Sequence, residues 1–221
     1  MNAIDALRVR KSVRAFTKRA VSDEQLRQML DASSHAPSGV NTQPWQVAVL
    51  RNKTKDRLCS QIEGAFREGK KSNKDYEYYP TEWREPYLSR RKACGLALYS
   101  ALNISKEDVQ RRQDQWAANY RAFDAPVMLL FFIDRTMGRG SYLDYGMFLQ
   151  ALMLAAVDLG LSTCSQAALA EYPDIVREAL DYDESMLLLC GMAVGYEDTS
   201  APVNNYRTER EPLENFTRFF P

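Results

Sequence analysis

Two stretches with almost no polar atoms set the architecture. Val127 to Ile133 reads Val-Met-Leu-Leu-Phe-Phe-Ile, and Met186 to Val194 reads Met-Leu-Leu-Leu-Cys-Gly-Met-Ala-Val. Neither alternates polar with apolar, so neither can face water on one side. Such runs are expected as central strands of a sheet covered on both faces. Trp45 to Leu50 alternates more openly and predicts a further strand, and Leu161 to Ser165 a short one.

Helical spacing fills the intervals. Residues 2–9 predict a short helix. Ser22-Asp23-Glu24-Gln25 opens another, with a serine cap, two acids in the first turn and a glutamine placed for a capping box. Lys53 to Lys70, Leu88 to Leu102, Ser105 to about Tyr120, Ser141 to Leu159 and Pro173 to Leu180 complete the set. From Met147 onward the Ser141–Leu159 helix is apolar nearly all round, which predicts burial on every side. In a chain of 221 residues that burial calls for a second subunit. Phe216, Phe219 and Phe220 predict a docked tail rather than a frayed one. Lys71 to Pro86 gathers Tyr76, Tyr78, Tyr79 and Trp83 with Pro80 and Pro86. It reads either as a loop pinned down by its own aromatic residues or as a wall over a flat aromatic substrate. No domain linker or repeat is visible, so one domain is expected over residues 1–221.

Charge excludes several classes. Basic and acidic residues balance at 29 each, which argues against a nucleic-acid surface or a membrane patch. One histidine, His35, leaves little for a histidine metal site or a histidine-based triad. Cys59, Cys94, Cys164 and Cys190 are scattered and read as reduced thiols. Asn2 to Arg14 is too charged for a signal-peptide core, so the expected location is cytoplasmic.

Two polar motifs stand apart. Arg10-Lys11-Ser12-Val13-Arg14-Ala15-Phe16 places three cations and a hydroxyl within five positions. Guanidinium forks match phosphate oxygens; the plain alternative is a solvated basic turn. Ala36-Pro37-Ser38-Gly39-Val40-Asn41-Thr42-Gln43-Pro44-Trp45 is a loop stiffened by two prolines and carrying amide side chains. Amides both donate and accept, which suits the edge of a flat heteroaromatic ring; the alternative is an ordinary helix-to-strand turn.

Together the patterns Arg-x-Ser-x-Arg-x-Phe and Ala-Pro-Ser-Gly-x-Asn-x-Gln-Pro-Trp resemble the FMN-dependent nitroreductase family. Arg210-Glu211-Pro212-Leu213-Glu214 fits that family's C-terminal motif. Cys164-Ser165-Gln166-Ala167-Ala168 fits its flavin-side turn in part, with serine where proline is common. Tyr78 to Tyr87 and Phe123 to Pro126 are similar to a nitrobenzoate-reductase-like subgroup.

The resemblance implies an α+β fold: a mixed sheet sandwiched by helices, in a homodimer with a C-terminal arm, about 197–221, that wraps the partner. The aromatic insertion covers about 71–87. The resemblance assigns the cofactor phosphate to Arg10, Ser12 and Arg210, with Lys11 and Arg207 assisting. Arg14 is placed near the flavin's pyrimidine carbonyl. Pro37, Ser38, Gly39, Asn41 and Gln43 line the ring from the partner subunit, and Gln166, Ala167 and Ala168 touch its reactive centre. Asn119 and Arg121 are candidates for the pyrimidine edge.

The implied activity is ping-pong reduction of nitroaromatics through nitroso to hydroxylamine, with NADH or NADPH as co-substrate and no protein side chain named as catalyst. Alternatives are quinone or flavin reduction, reductive dehalogenation, or flavin binding without turnover.

Overall fold

The computed structural model describes residues 1–221. Helices α1 (Ala3–Val9) and α2 (Asp23–Ser34) precede strand β1 (Gln46–Arg51). Then come α3 (Asn52–Arg67), α4 (Tyr87–Ala101) and α5 (Val109–Ala117). Strand β2 (Val127–Asp134), helix α6 (Arg139–Asp158), β3 (Ser162–Gln166), α7 (Pro173–Leu180) and β4 (Met186–Gly195) follow. The fold is α+β.

The sheet order is β1-β2-β4-β3. The two apolar runs take the central places: every residue of β2 but Asp134 is buried, and every residue of β4 but Met186. All three strand pairs are antiparallel. The mixed character expected of the sheet is therefore confined to one parallel bridge, Ser12 to Thr163.

Successive strand side chains point to opposite faces, and β2 divides accordingly. Met128, Leu130 and Phe132 join Leu58, Ile62, Tyr120 and Val176 in one core under α3 and α7. Leu129, Phe131 and Ile133 join Met29, Tyr145, Phe148 and Leu152 in the other, under α2 and α6.

Local signals hold at α2, where the capping box closes. The Gln25 N–H donates to Ser22 Oγ at 3.1 Å, and the Ser22 N–H to Gln25 Oε1 at 3.2 Å. The helix expected from Ser105 starts later, at Val109, because Asp108 captures the first-turn N–H of Arg111 at 3.1 Å.

Helix α6 is covered by its own chain on one side only. Tyr145, Phe148, Leu152 and Ala156 are buried, but Leu143 is 74 % and Met147 41 % exposed. Within one chain the helix covers one face and leaves an apolar stripe open. The tail behaves alike. Val203 and Asn204 are buried, yet Phe216, Phe219 and Phe220 stand exposed. Within the arm expected over about 197–221, the chain packs on its own domain at Val203 and Asn204 and is exposed at the terminal phenylalanines.

Gly191 on β4 permits a close crossing. A Cβ there would meet the Leu169 side chain, with its Cβ at 2.9 Å, and the Leu129 carbonyl at 3.1 Å. The Gly191→Ala variant is expected to lose about 1–3 kcal/mol through overpacking. Urea denaturation should show a lower midpoint at unchanged slope.

Candidate functional site: an arginine cleft beside strand β3

Helix α1 delivers the chain to the basic segment, which lies along the edge of β3. The Val13 N–H donates to the Thr163 carbonyl at 3.0 Å, beside the Ser12 bridge. The segment is fixed from the far end of the sequence by Asn204, which is 2 % exposed. Its Oδ1 accepts the Arg14 N–H at 2.8 Å, and its Nδ2 donates to the carbonyls of Ala15 and Asp198, both at 2.9 Å. Burial of the Asn204 side chain makes each of these bonds costly to lose.

Around this frame six of the anticipated residues come together. Arg10, Lys11, Ser12, Arg14, Arg207 and Arg210 line one cleft of about 450 Å³. Arg8, Cys94 and Tyr206 line it too, and the sequence reading did not single them out. Arg8 sits in the last turn of a short helix, where a cation is unremarkable.

The residues differ in how they are held. Lys11 turns inward, bonding the Asn204 carbonyl at 2.7 Å and pairing with Glu197 at 2.6 Å. Arg207 donates to the carbonyls of Arg8, Val9 and Arg10, satisfying acceptors that the end of α1 leaves open. Arg14 reaches the Ser12 carbonyl and the Tyr206 hydroxyl, each at 3.3 Å. Arg210 bonds only its own turn, at Thr208 and Glu209.

Lys11 is the one cation of the cleft paired with a carboxylate; its five arginines have none. Burial first, then the like charges of Arg210 and Arg207, push the pKa of Arg10 below its ordinary value. Crowded guanidinium groups with free donors gain most from an anion with several oxygens, such as a phosphate.

The other anticipated residues lie outside this cleft. Pro37, Ser38, Gly39, Asn41 and Gln43 form the loop between α2 and β1. Its Gly39 N–H donates to Asp144 of α6 at 3.2 Å, and its Gln43 N–H to Ser38 Oγ at 3.0 Å. Val40, Asn41 and Gln43 all have positive φ, at 45°, 58° and 47°. Three such non-glycine residues in a short loop are strained backbone, a feature that clusters where ligands are held. Asn41 and Gln43 are exposed.

Gln166 ends β3, three residues beyond the Ser12 bridge. Its Nε2 donates to the Asn119 carbonyl at 2.9 Å and to Asn119 Oδ1 at 3.3 Å. Its Oε1 is buried without a partner. Ala167 and Ala168 continue as a half-buried turn. Arg121 is engaged by Glu63 at 2.9 Å and Asp124 at 3.0 Å.

The aromatic insertion is pinned at its root and open at its tip. Its root is pinned: the Tyr76 hydroxyl donates to the Leu189 carbonyl at 2.7 Å, and Asp75 pairs with Arg177 at 2.6 Å. Its tip is open. Tyr79 meets Tyr78 edge-on and Trp83 at a tilt, with Tyr78 and Tyr79 both exposed.

Cys94 gives the cleft a chemical reporter. Burial pushes the Cys59 thiol up to about 11 and Cys190 to about 12, and it raises Cys164 as well. Thiolate is the reactive form, so one thiol of the native protein is expected to react quickly with an aromatic disulfide. The Cys94→Ala variant should abolish that phase.

No group of histidine, cysteine or carboxylate side chains is placed to hold a metal ion. No helix is long and apolar enough to cross a membrane.

The α+β sheet thus carries an arginine cleft built from both ends of the chain, whose guanidinium groups lack carboxylate partners. The chain belongs to the nitroreductase family, whose model matches residues 7–196. It is 36% identical over 210 residues to a 4-nitrobenzoate reductase of Pseudomonas putida, covering 95% of this chain and 92% of that one. Among solved structures it is similar to the FMN and NADPH-dependent nitroreductase NfnB from sphigopyxis sp. strain HMH. That likeness has a TM-score of 0.97 at 36% identity and full coverage of both chains. The FMN-dependent NfnB from Mycobacterium smegmatis, in complex with NADPH, superposes with a TM-score of 0.94 at 33% identity, covering 99% and 98%.

Proposed function

We propose that the protein is an FMN-dependent NAD(P)H oxidoreductase that reduces nitroaromatic compounds, built as a single domain over residues 1–221. The observation that carries this reading is the arginine cleft, whose donors lack carboxylate partners in a chain of the nitroreductase family. The residues present fit the phosphate end of FMN. Arg10 and Arg210 would hold the phosphate, with Ser12 donating a hydroxyl. Lys11 and Arg207 act one step back: one is bonded to Asn204 and Glu197, the other closes α1 under the cleft. Arg14, steadied by Tyr206, would present positive charge to the pyrimidine edge.

The chemistry FMN supplies when bound is two-electron transfer from a reduced nicotinamide to a nitro group. The protein's part is to bind, orient and leave one ring face open to both substrates in turn.

The second half of the site is assigned to a partner copy. The open stripe of α6 and the exposed phenylalanines of the tail are apolar surface that a homodimer would cover. The loop from Pro37 to Gln43, with its strained backbone and free amides, would then face the partner's cofactor. Gln166, Ala167 and Ala168 would approach the ring's centre. A cytoplasmic location goes with this reading.

The test is anaerobic spectroscopy of the purified protein. NADPH or NADH should bleach a yellow protein, and a nitroarene should restore the colour. Protein that stays yellow with both nicotinamides is a flavin-binding module. Restoration by menadione or a halophenol but not by a nitroarene assigns the scaffold to another acceptor.

A further inference from the structure

A second recess, a groove of about 490 Å³, runs along another side of α4. Helical period sets the two apart: Cys94 faces the arginine cleft, while Leu88, Arg91, Lys92, Gly95 and Tyr99 recur at spacings of three and four on the groove side. Leu96, Tyr99 and Ile104 give the groove an apolar lining, and Arg91, Lys92, Lys106 and Arg112 contribute four cations.

The charges are not matched within the protein. Arginines on the same two helices that do not line the groove are paired, Arg90 with Glu211 at 3.0 Å and Arg111 with Asp108 at 3.6 Å. The four that line it form no ion pair, and no carboxylate lines it beside them. Arg112 bonds the Lys106 carbonyl at 3.2 Å, and its guanidinium stands 4.9 Å over the Tyr99 ring. Arg91 stands 4.9 Å over Trp83. Two of the four cations are thus held in place against aromatic faces.

We propose that this groove seats the 2′-phosphoadenosine end of NADPH, an inference that rests on the reductase reading above. A dianionic phosphate answers the four unmatched cations, and the flat adenine answers the apolar lining with its aromatic residue. Position decides between ligands. A helix about 10–12 Å across separates the groove from the cleft. A single-ring nitroaromatic acid held in the groove cannot also present its nitro group at the cleft side of α4. An extended dinucleotide spans both. The groove therefore selects the phosphorylated nicotinamide over NADH.

Calorimetric titration of the purified protein with 2′,5′-ADP and with 5′-AMP reads the site without turnover. Binding of 2′,5′-ADP should be at least tenfold tighter, and the Lys92→Glu/Lys106→Glu variant, changed at two exposed positions, should remove that difference. In the same variant KM for NADPH should rise at least tenfold, KM for NADH should change less than twofold, and flavin content should not change. Equal affinity for the two nucleotides, or equal rises in both KM values, overturns the proposal. If charge reversal at both positions prevents folding, Lys92→Gln alone should still lower 2′,5′-ADP affinity several-fold, and no change there counts against the groove. Colourless protein that still prefers 2′,5′-ADP contradicts the reductase reading and keeps the groove. Yellow, active protein without the preference does the reverse.

Discussion

Arg10→Glu protein is expected to emerge from purification colourless. Arg10 is half-buried at the cleft, without a carboxylate partner, and its charge is already opposed by Arg207 and Arg210. An anion relieves that crowding. Charge-assisted hydrogen bonds contribute about 1.5–3 kcal/mol each, and every 1.4 kcal/mol or so is a tenfold change in affinity. Reversing the charge removes such bonds and adds repulsion toward a dianion. FMN affinity should therefore fall by about 100-fold or more. Fluorescence titration gives the number, and circular dichroism shows whether the fold persists. Folded Arg10→Glu protein carrying one FMN per chain would remove Arg10 from the phosphate site.

The largest effect on stability is expected at Asp75. Its side chain is 6 % exposed and its partner Arg177 is 9 % exposed. Asp75 Oδ2 accepts from Arg177 at 2.6 Å and from the Leu188 N–H at 2.9 Å, tying the aromatic insertion to α7 and β4 at once. Burial acts to lower the Arg177 pKa, but Asp75 and Asp174 outweigh it and hold the value above the ordinary one. In the Asp75→Leu variant Arg177 keeps the Met186 carbonyl at 3.2 Å and one carboxylate, Asp174, which is 63 % exposed. Breaking a buried pair from one side costs about 3–5 kcal/mol, because a desolvated charge loses its partner. In a chain of this size that corresponds to a Tm lower by about 6–20 °C. The double variant Asp75→Leu/Arg177→Leu should recover part of the loss, since the charges it leaves unpaired, Arg135 and Asp174, are both exposed. A single variant melting within about 2 °C of the parent would show that the pair holds nothing together.

Much of this was legible in the residue order, for identifiable reasons. The central strands were readable because runs as apolar as Val127–Ile133 have few other homes. The start of α2 was readable because a capping box is a local bond pattern. The six cleft residues were readable from two motifs, one at each end of the chain, through the family resemblance. What escaped notice depends on partners distant in sequence. Asn204 looks like any loop asparagine until Arg14 and Ala15 lie beside it. Asp75 looks like a loop acid until Arg177 arrives from 102 positions away. The all-round apolar face of α6 was visible, but the same residues predict burial whether the cover is this chain or a second copy. Pattern cannot separate those cases; this chain alone leaves Leu143 and Met147 exposed.

The account turns on phosphate recognition by guanidinium groups at one cleft. The most direct measurement compares FMN with riboflavin, which lacks only the phosphate, in titrations of flavin-free protein. The account predicts that FMN binds at least about 100-fold more tightly, and that Arg10→Glu erases most of the gap. Equal affinity of the unaltered protein for the two flavins would contradict it.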